Sequence, residues 1–99
     1  MVKINWTKLA LSDLKGAHEY IANDSLRYAQ ITVSKIHNRV ESLKKQPLSG
    51  RIVPEFEDPS IKELIEGNYR IVHYLVSENQ IDILRIYHSA RKLEKKKLK

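Results

Sequence analysis

Apolar and polar positions alternate at the start of this chain, recur at helical spacing through its middle, and alternate again towards its end. Val2, Ile4 and Trp6 interleave with Lys3 and Asn5, the period of a short half-buried strand. Thr7 follows as an N-cap. Ala10, Leu14, Ala17 and Ile21 then fall on one helical stripe, with Asp13, Lys15 and Glu19 expected on the water side. Asn23-Asp24-Ser25 breaks that stripe and supplies new capping groups. A second stripe, Ala29, Val33, Ile36, Val40 and Leu43, runs on towards Lys44-Lys45-Gln46, and Pro47 marks its limit. Two helices joined by so few polar residues predict an antiparallel hairpin.

All three prolines lie between Pro47 and Pro59, together with Gly50, Glu55, Glu57 and Asp58, which predicts a long loop. Beyond it, Ile61–Ile65, Tyr69–Val76 and Ile81–Tyr87 read as strands. Glu66-Gly67-Asn68 and Ser77-Glu78-Asn79-Gln80 connect them as hairpin turns. The fold class is α+β: a short N-terminal strand, an antiparallel helical hairpin, then a three-stranded antiparallel meander. Residues 1–90 form one expected domain and residues 91–99 a basic tail.

The meander does not sort its side chains cleanly. Tyr69, Ile71, His73 and Leu75 oppose Arg70, Val72, Tyr74 and Val76. Ile81, Ile83, Arg85 and Tyr87 oppose Asp82, Leu84, Ile86 and His88. One layer of helices covers one face of a sheet, so apolar side chains on both faces imply a second cover. The expected cover is a partner protein. A second copy of the chain, or the tail with its Leu93 and Leu98, is the alternative.

Composition narrows the chemistry. There is no cysteine, which excludes disulfides and thiolate metal sites. His18 and His37 fall on outward helical positions, no histidine or carboxylate spacing suggests a metal, and no cofactor is implied. The first residues hold no apolar stretch of signal-peptide length and the apolar runs are strand-sized, so the cytoplasm is the expected compartment and a membrane is not an expected partner. The net charge is +6, and Arg91, Lys92, Lys95, Lys96, Lys97 and Lys99 against Glu94 supply most of it. A tail of that kind attracts nucleic acid or an acidic partner, or simply stays solvated.

Five short patterns, in order and correctly spaced, resemble the ParE/RelE superfamily of toxins from bacterial type II toxin–antitoxin pairs, the plasmid stabilisation proteins. They are Trp6 with Ala10, Asp13-Leu14 and Tyr20-Ile21; Pro47, Gly50-Arg51 and Val53-Pro54-Glu55; Ile61-Lys62-Glu63-Leu64; Gly67-Asn68-Tyr69-Arg70-Ile71; and His88 followed by Arg91. The second and third look more like ParE than RelE. Lys62 stands where the family commonly has arginine, and His73 where it commonly has tyrosine. ParE resemblance implies inhibition of DNA gyrase, and RelE resemblance implies ribosome-dependent mRNA cleavage. Both imply a cognate antitoxin that covers the open face, with a homo- or hetero-oligomer as the assembled form.

RNA cleavage through the 2′-hydroxyl needs a base, an acid and a cation for the developing phosphorane charge. Arg70, Tyr87 and His88 fall on positions that such work occupies in the RelE-like nucleases. Arg85 and Arg91 are further charge stabilisers and Glu55 a second base. Tyr87 and His88 are adjacent, so a regular strand turns them to opposite faces. Structural duties compete with each role: Arg70 can pair with Glu63 or Glu66 across the hairpin, Arg51 can hold the loop through its carbonyls, and Glu55 can pair with Arg51. The expected function is therefore a growth-inhibiting toxin that binds gyrase. The alternatives are an mRNA endonuclease and a non-toxic basic adaptor that keeps only the fold.

Overall fold

The computed structural model describes residues 1–89. Strand β1 spans Lys3–Trp6, helix α1 Lys8–Ala22 and helix α2 Leu26–Glu41. Strands β2 (Arg51–Ile52), β3 (Ile61–Glu66), β4 (Tyr69–Ser77) and β5 (Gln80–His88) follow. The predicted caps are in place: Thr7 Oγ1 accepts the Ala10 N–H at 3.2 Å and Ser25 Oγ the Tyr28 N–H at 3.1 Å, each satisfying one otherwise unpaired donor of a first turn. Helix α2 stops six residues short of Pro47 and passes into a 3-10 turn, Ser42–Lys44. That turn still buries Leu43, the last residue of the predicted stripe.

The five strands form one sheet in the order β1-β5-β4-β3-β2. The predicted meander is its centre, and two strands enlarge it. β1 pairs in parallel with β5, from Lys3 opposite Gln80 to Trp6 opposite Ile83, so the sheet is mixed. β2 lies inside the predicted loop, with Arg51 opposite Glu63 and Ile52 opposite Lys62. Two residues between Gly50 and the Val53-Pro54 pair carry too short a pattern to read as a strand.

The helices cover one face of the sheet. Ala10, Ile36, Val40 and Leu43 pack there on Leu64, Ile71, Ile81, Ile83 and Ile86. The other face carries a cover from the chain itself, so the apolar side chains there do not by themselves require a partner. The segment from Pro47 to Ser60 folds back as a strap, and its Val53 and Phe56 pack on Ile61, Val72, Leu84 and Tyr87. Apolar side chains on both faces thus mark two cores, one on each side of the sheet. A bulge between Val72 and His73 shifts the β4–β5 register, pairing Val72 with Arg85 and His73 with Ile83. It lets Ile83 and Ile86 face the helices although they stand three positions apart, an odd spacing that a regular strand would turn to opposite faces.

The strap is tied at several points. Asp58 Oδ1 accepts the Ser60 N–H at 2.9 Å and its hydroxyl at 2.7 Å, the local bonding that favours Asp in turns. Glu57 sits at φ 53°, uncommon for a residue with a side chain. At its start, Gly50 has φ +100°, and a Cβ there would lie 2.7 Å from the Glu63 carbonyl oxygen and 3.1 Å from His73 Nε2. Glycine is required for both reasons.

Candidate functional site

The charged residues of the sheet converge on Glu63. Neighbouring strands bring Arg51 directly opposite it on β2, while Arg70 lies on β4 two residues from Glu63's own partner, Val72. The Glu63 side chain has no exposed surface, and a buried carboxylate survives only when its charge is paired. Both of its oxygens are used: Arg70 Nε donates to Oε1 at 2.6 Å and Arg51 Nε to Oε2 at 2.7 Å. Arg70 then reaches the strap, its Nη1 and Nη2 donating to the two oxygens of Glu55 at 2.9 and 3.0 Å. A single chain of charge-assisted bonds, Glu55–Arg70–Glu63–Arg51, joins strap to sheet. The bond from Glu55, and after it those from Glu63, push the Arg70 pKa above its usual value against the effect of burial.

Of the two partners foreseen for Arg70, Glu63 is realised and Glu66 is not. Arg51 binds the Glu63 carboxylate where strap carbonyls were expected, and Glu55 pairs with Arg70 where Arg51 was expected. Glu63 itself was missed as a hub. A carboxylate between Lys62 and Leu64 on an apolar strand is the signal that could have found it.

Arg85 closes a second clamp. Beyond Ile83 the outer edge of β5 has no β1 neighbour, and Asp13 takes that place. Its Oδ2 accepts Arg85 Nε at 2.7 Å and the Ile86 N–H at 2.9 Å, while Oδ1 accepts Arg85 Nη2 at 2.9 Å. Asp13 therefore turns inward from α1, contrary to the expected outward position. A period-based reading treats a carboxylate on a helix as solvated and cannot see a strand edge in need of an acceptor. Asp13 raises the Arg85 pKa, and the Arg85 guanidinium carbon stands 4.8 Å from the centre of the Tyr87 ring.

The three proposed catalytic residues do not share one site. Arg70 and Tyr87 are register partners, both buried on the strap side. His88 is the partner of Tyr69, lies edge-on to that ring with centroids 5.6 Å apart, and is exposed on the helix side. The sheet itself separates the imidazole from the Arg70 guanidinium. There His88 lines a cleft with Tyr20, Tyr28, Ile31, Lys35 and Tyr69. Burial, with smaller contributions from Tyr20 and Tyr28, raises the Tyr69 pKa. Arg91 and the basic tail lie outside the described residues.

His73 is the histidine that sequence reasoning passed over. It is 2 % exposed, its Nε2 has no hydrogen-bond partner among the described residues, and burial, helped by Lys62 on the neighbouring strand, pushes its pKa down to about 4. His37 stacks on Trp6 at 6.5 Å with rings nearly parallel. Among the described residues no three His, Asp or Glu side chains group as metal ligands, and no helix is long and apolar enough to cross a membrane.

The chain matches the family described as the ParE toxin of the type II toxin–antitoxin system parDE over residues 4–93. Toxin RelE2 of Caulobacter vibrioides is 30% identical over 91 residues, which cover 92% of this chain and 99% of that protein. Among solved structures, a chain of the chromosomal ParDE system of P. aeruginosa superposes with a TM-score of 0.72 at 26% identity, covering 89% of this chain and 96% of its own. A chain of the RelBE2 toxin–antitoxin complex of Mycobacterium tuberculosis superposes with a TM-score of 0.63 at 19% identity, covering 88% and 96%. The second likeness is one of fold.

Proposed function

The chain belongs to the ParE family of toxins from type II toxin–antitoxin systems, and on that premise we propose that it arrests growth by binding and inhibiting DNA gyrase, with a cognate antitoxin as its neutralising partner. The observation that carries a binding role over a cleaving one is the state of Arg70. Its Nε and both terminal nitrogens each donate to Glu63 or Glu55, and the residue is 7 % exposed, so its charge is already paired with carboxylates and shut away from a phosphorane. His88, the acid or base that such a reaction would use, stands across the sheet from it. Cleavage needs these groups within hydrogen-bond reach of one phosphodiester, and the ion pairs disfavour that arrangement. Glu55, Arg70 and Arg85 act on this reading by holding strap and strand edge in shape, with Arg51 and Arg91 proposed as contact residues.

Residues 1–90 are taken as the toxin domain, residues 91–99 as a basic extension, and the cytoplasm as the compartment where gyrase is met. The antitoxin is supported by the solved relatives, whose names describe ParDE and RelBE2 toxin–antitoxin assemblies. Growth tests the reading in cells. Expression of the chain alone is expected to halt division, co-expression of the adjacent small gene to restore it, and messenger RNA ends to stay unchanged throughout. Fresh mRNA ends at fixed codon positions would replace the gyrase reading with the RelE-type one. Undisturbed growth at good levels of folded protein would leave only the adaptor.

A further inference from the structure

We propose that Arg51 is the residue through which this toxin grips its target, taking a surface carboxylate of gyrase end-on between Nη1 and Nη2; the proposal rests on the gyrase reading above. Three observations lead to it. Among the described residues Arg51 is held by Nε alone, at 2.7 Å from a carboxylate that is itself completely buried, yet its side chain is 64 % exposed. A guanidinium fixed at one nitrogen keeps its plane, and the end-on edge takes no part in that bond. Such a pre-set fork loses little freedom when it meets a planar oxyanion.

Its surroundings select a protein as the source of that oxyanion. A phosphate backbone is held by several cations acting together. Here the nearby Lys62 ammonium donates to the Leu48 carbonyl at 3.0 Å, and Arg70 is closed by two carboxylates. The strap adds Glu55, Glu57 and Asp58, whose repulsion a continuous polyanion meets in full, whereas a protein surface can set cations beside its carboxylate. On the same face, Ile65, two residues beyond Glu63 on β3, adds an exposed aliphatic side chain. Arginine is among the residue types on which protein partners concentrate their binding energy.

The Glu55–Arg70–Glu63 chain then has a task beyond stability, since it fixes the carboxylate that orients Arg51. Arg51→Lys separates recognition from folding: the ammonium still neutralises Glu63, but the two-pronged edge is gone. In a supercoiling reaction with purified gyrase, Arg51→Lys should need about tenfold more protein than wild type for half inhibition. Its circular dichroism and thermal midpoint should match wild type, and Arg51→Ala should be weaker still in inhibition. Equal inhibition by wild type and folded Arg51→Lys overturns this assignment while the gyrase reading stands. Wild-type protein that leaves supercoiling intact overturns both.

Discussion

Mild acid should weaken this fold because of His73. An unconstrained imidazole takes up a proton near pH 6.5. In the fold, burial and the neighbouring Lys62 hold His73 neutral down to about 4. Between those two values the unfolded chain binds the proton and the folded chain refuses it, so stability is full above pH 6.5 and falls as pH drops towards 4. Each pH unit of difference is worth about 1.4 kcal/mol, which makes the loss between pH 7 and pH 5 about 2 kcal/mol and nearer 3 by pH 4. The geometry agrees, since Nε2 has no partner to share a positive charge and Gly50 closes over it. His73→Gln keeps a polar group of similar reach and removes the titration. Urea unfolding of both proteins at pH 7, 6 and 5 isolates the effect, because His18, His37 and His88 are common to both. Wild type should lose about 2 kcal/mol more than the variant between pH 7 and 5. Parallel pH dependences would refute the reasoning.

Two further changes test the strap and its anchor. Gly50→Ala meets both a left-handed backbone and the Glu63 carbonyl at 2.7 Å, and should cost about 2 kcal/mol or more in denaturant melts; an unchanged midpoint would mean that the strap does not need its turn at Gly50. Glu63→Gln keeps the shape but strips the charge that holds Arg51 and Arg70, for an expected loss of about 3–5 kcal/mol, whereas Glu55→Gln at the partly exposed end should cost clearly less. Equal losses for the two would deny Glu63 its place at the hub.

Much of this architecture is legible in the order of residues, and the exceptions share a cause. Thr7 and Ser25 cap their helices as read, because a cap is a local bond whose partner lies three residues away. The stripe from Ala29 to Leu43 is likewise local, and four of its five members are fully buried. Asp13 and Arg85 meet across 72 positions of sequence, so neither helical nor strand periodicity could join them. The strap misled for a related reason. Val53 and Phe56 sit among prolines and acids, with no period to declare them apolar cover, and the sheet face they fill looked open. The family's Gly50-Arg51 and Glu63 patterns were visible as letters. That the glycine makes room for the Glu63 carbonyl, and that the glutamate is the buried anchor of two arginines, belongs to the folded chain alone.

Gyrase inhibition is read most plainly from the supercoiling of relaxed plasmid by purified gyrase in the presence of increasing amounts of this protein. Supercoiling should fall with concentration, and fall equally with His88→Ala, since no proton transfer by that imidazole is required. Full supercoiling at every concentration of folded protein, or inhibition that vanishes with His88→Ala, would contradict inhibition by binding.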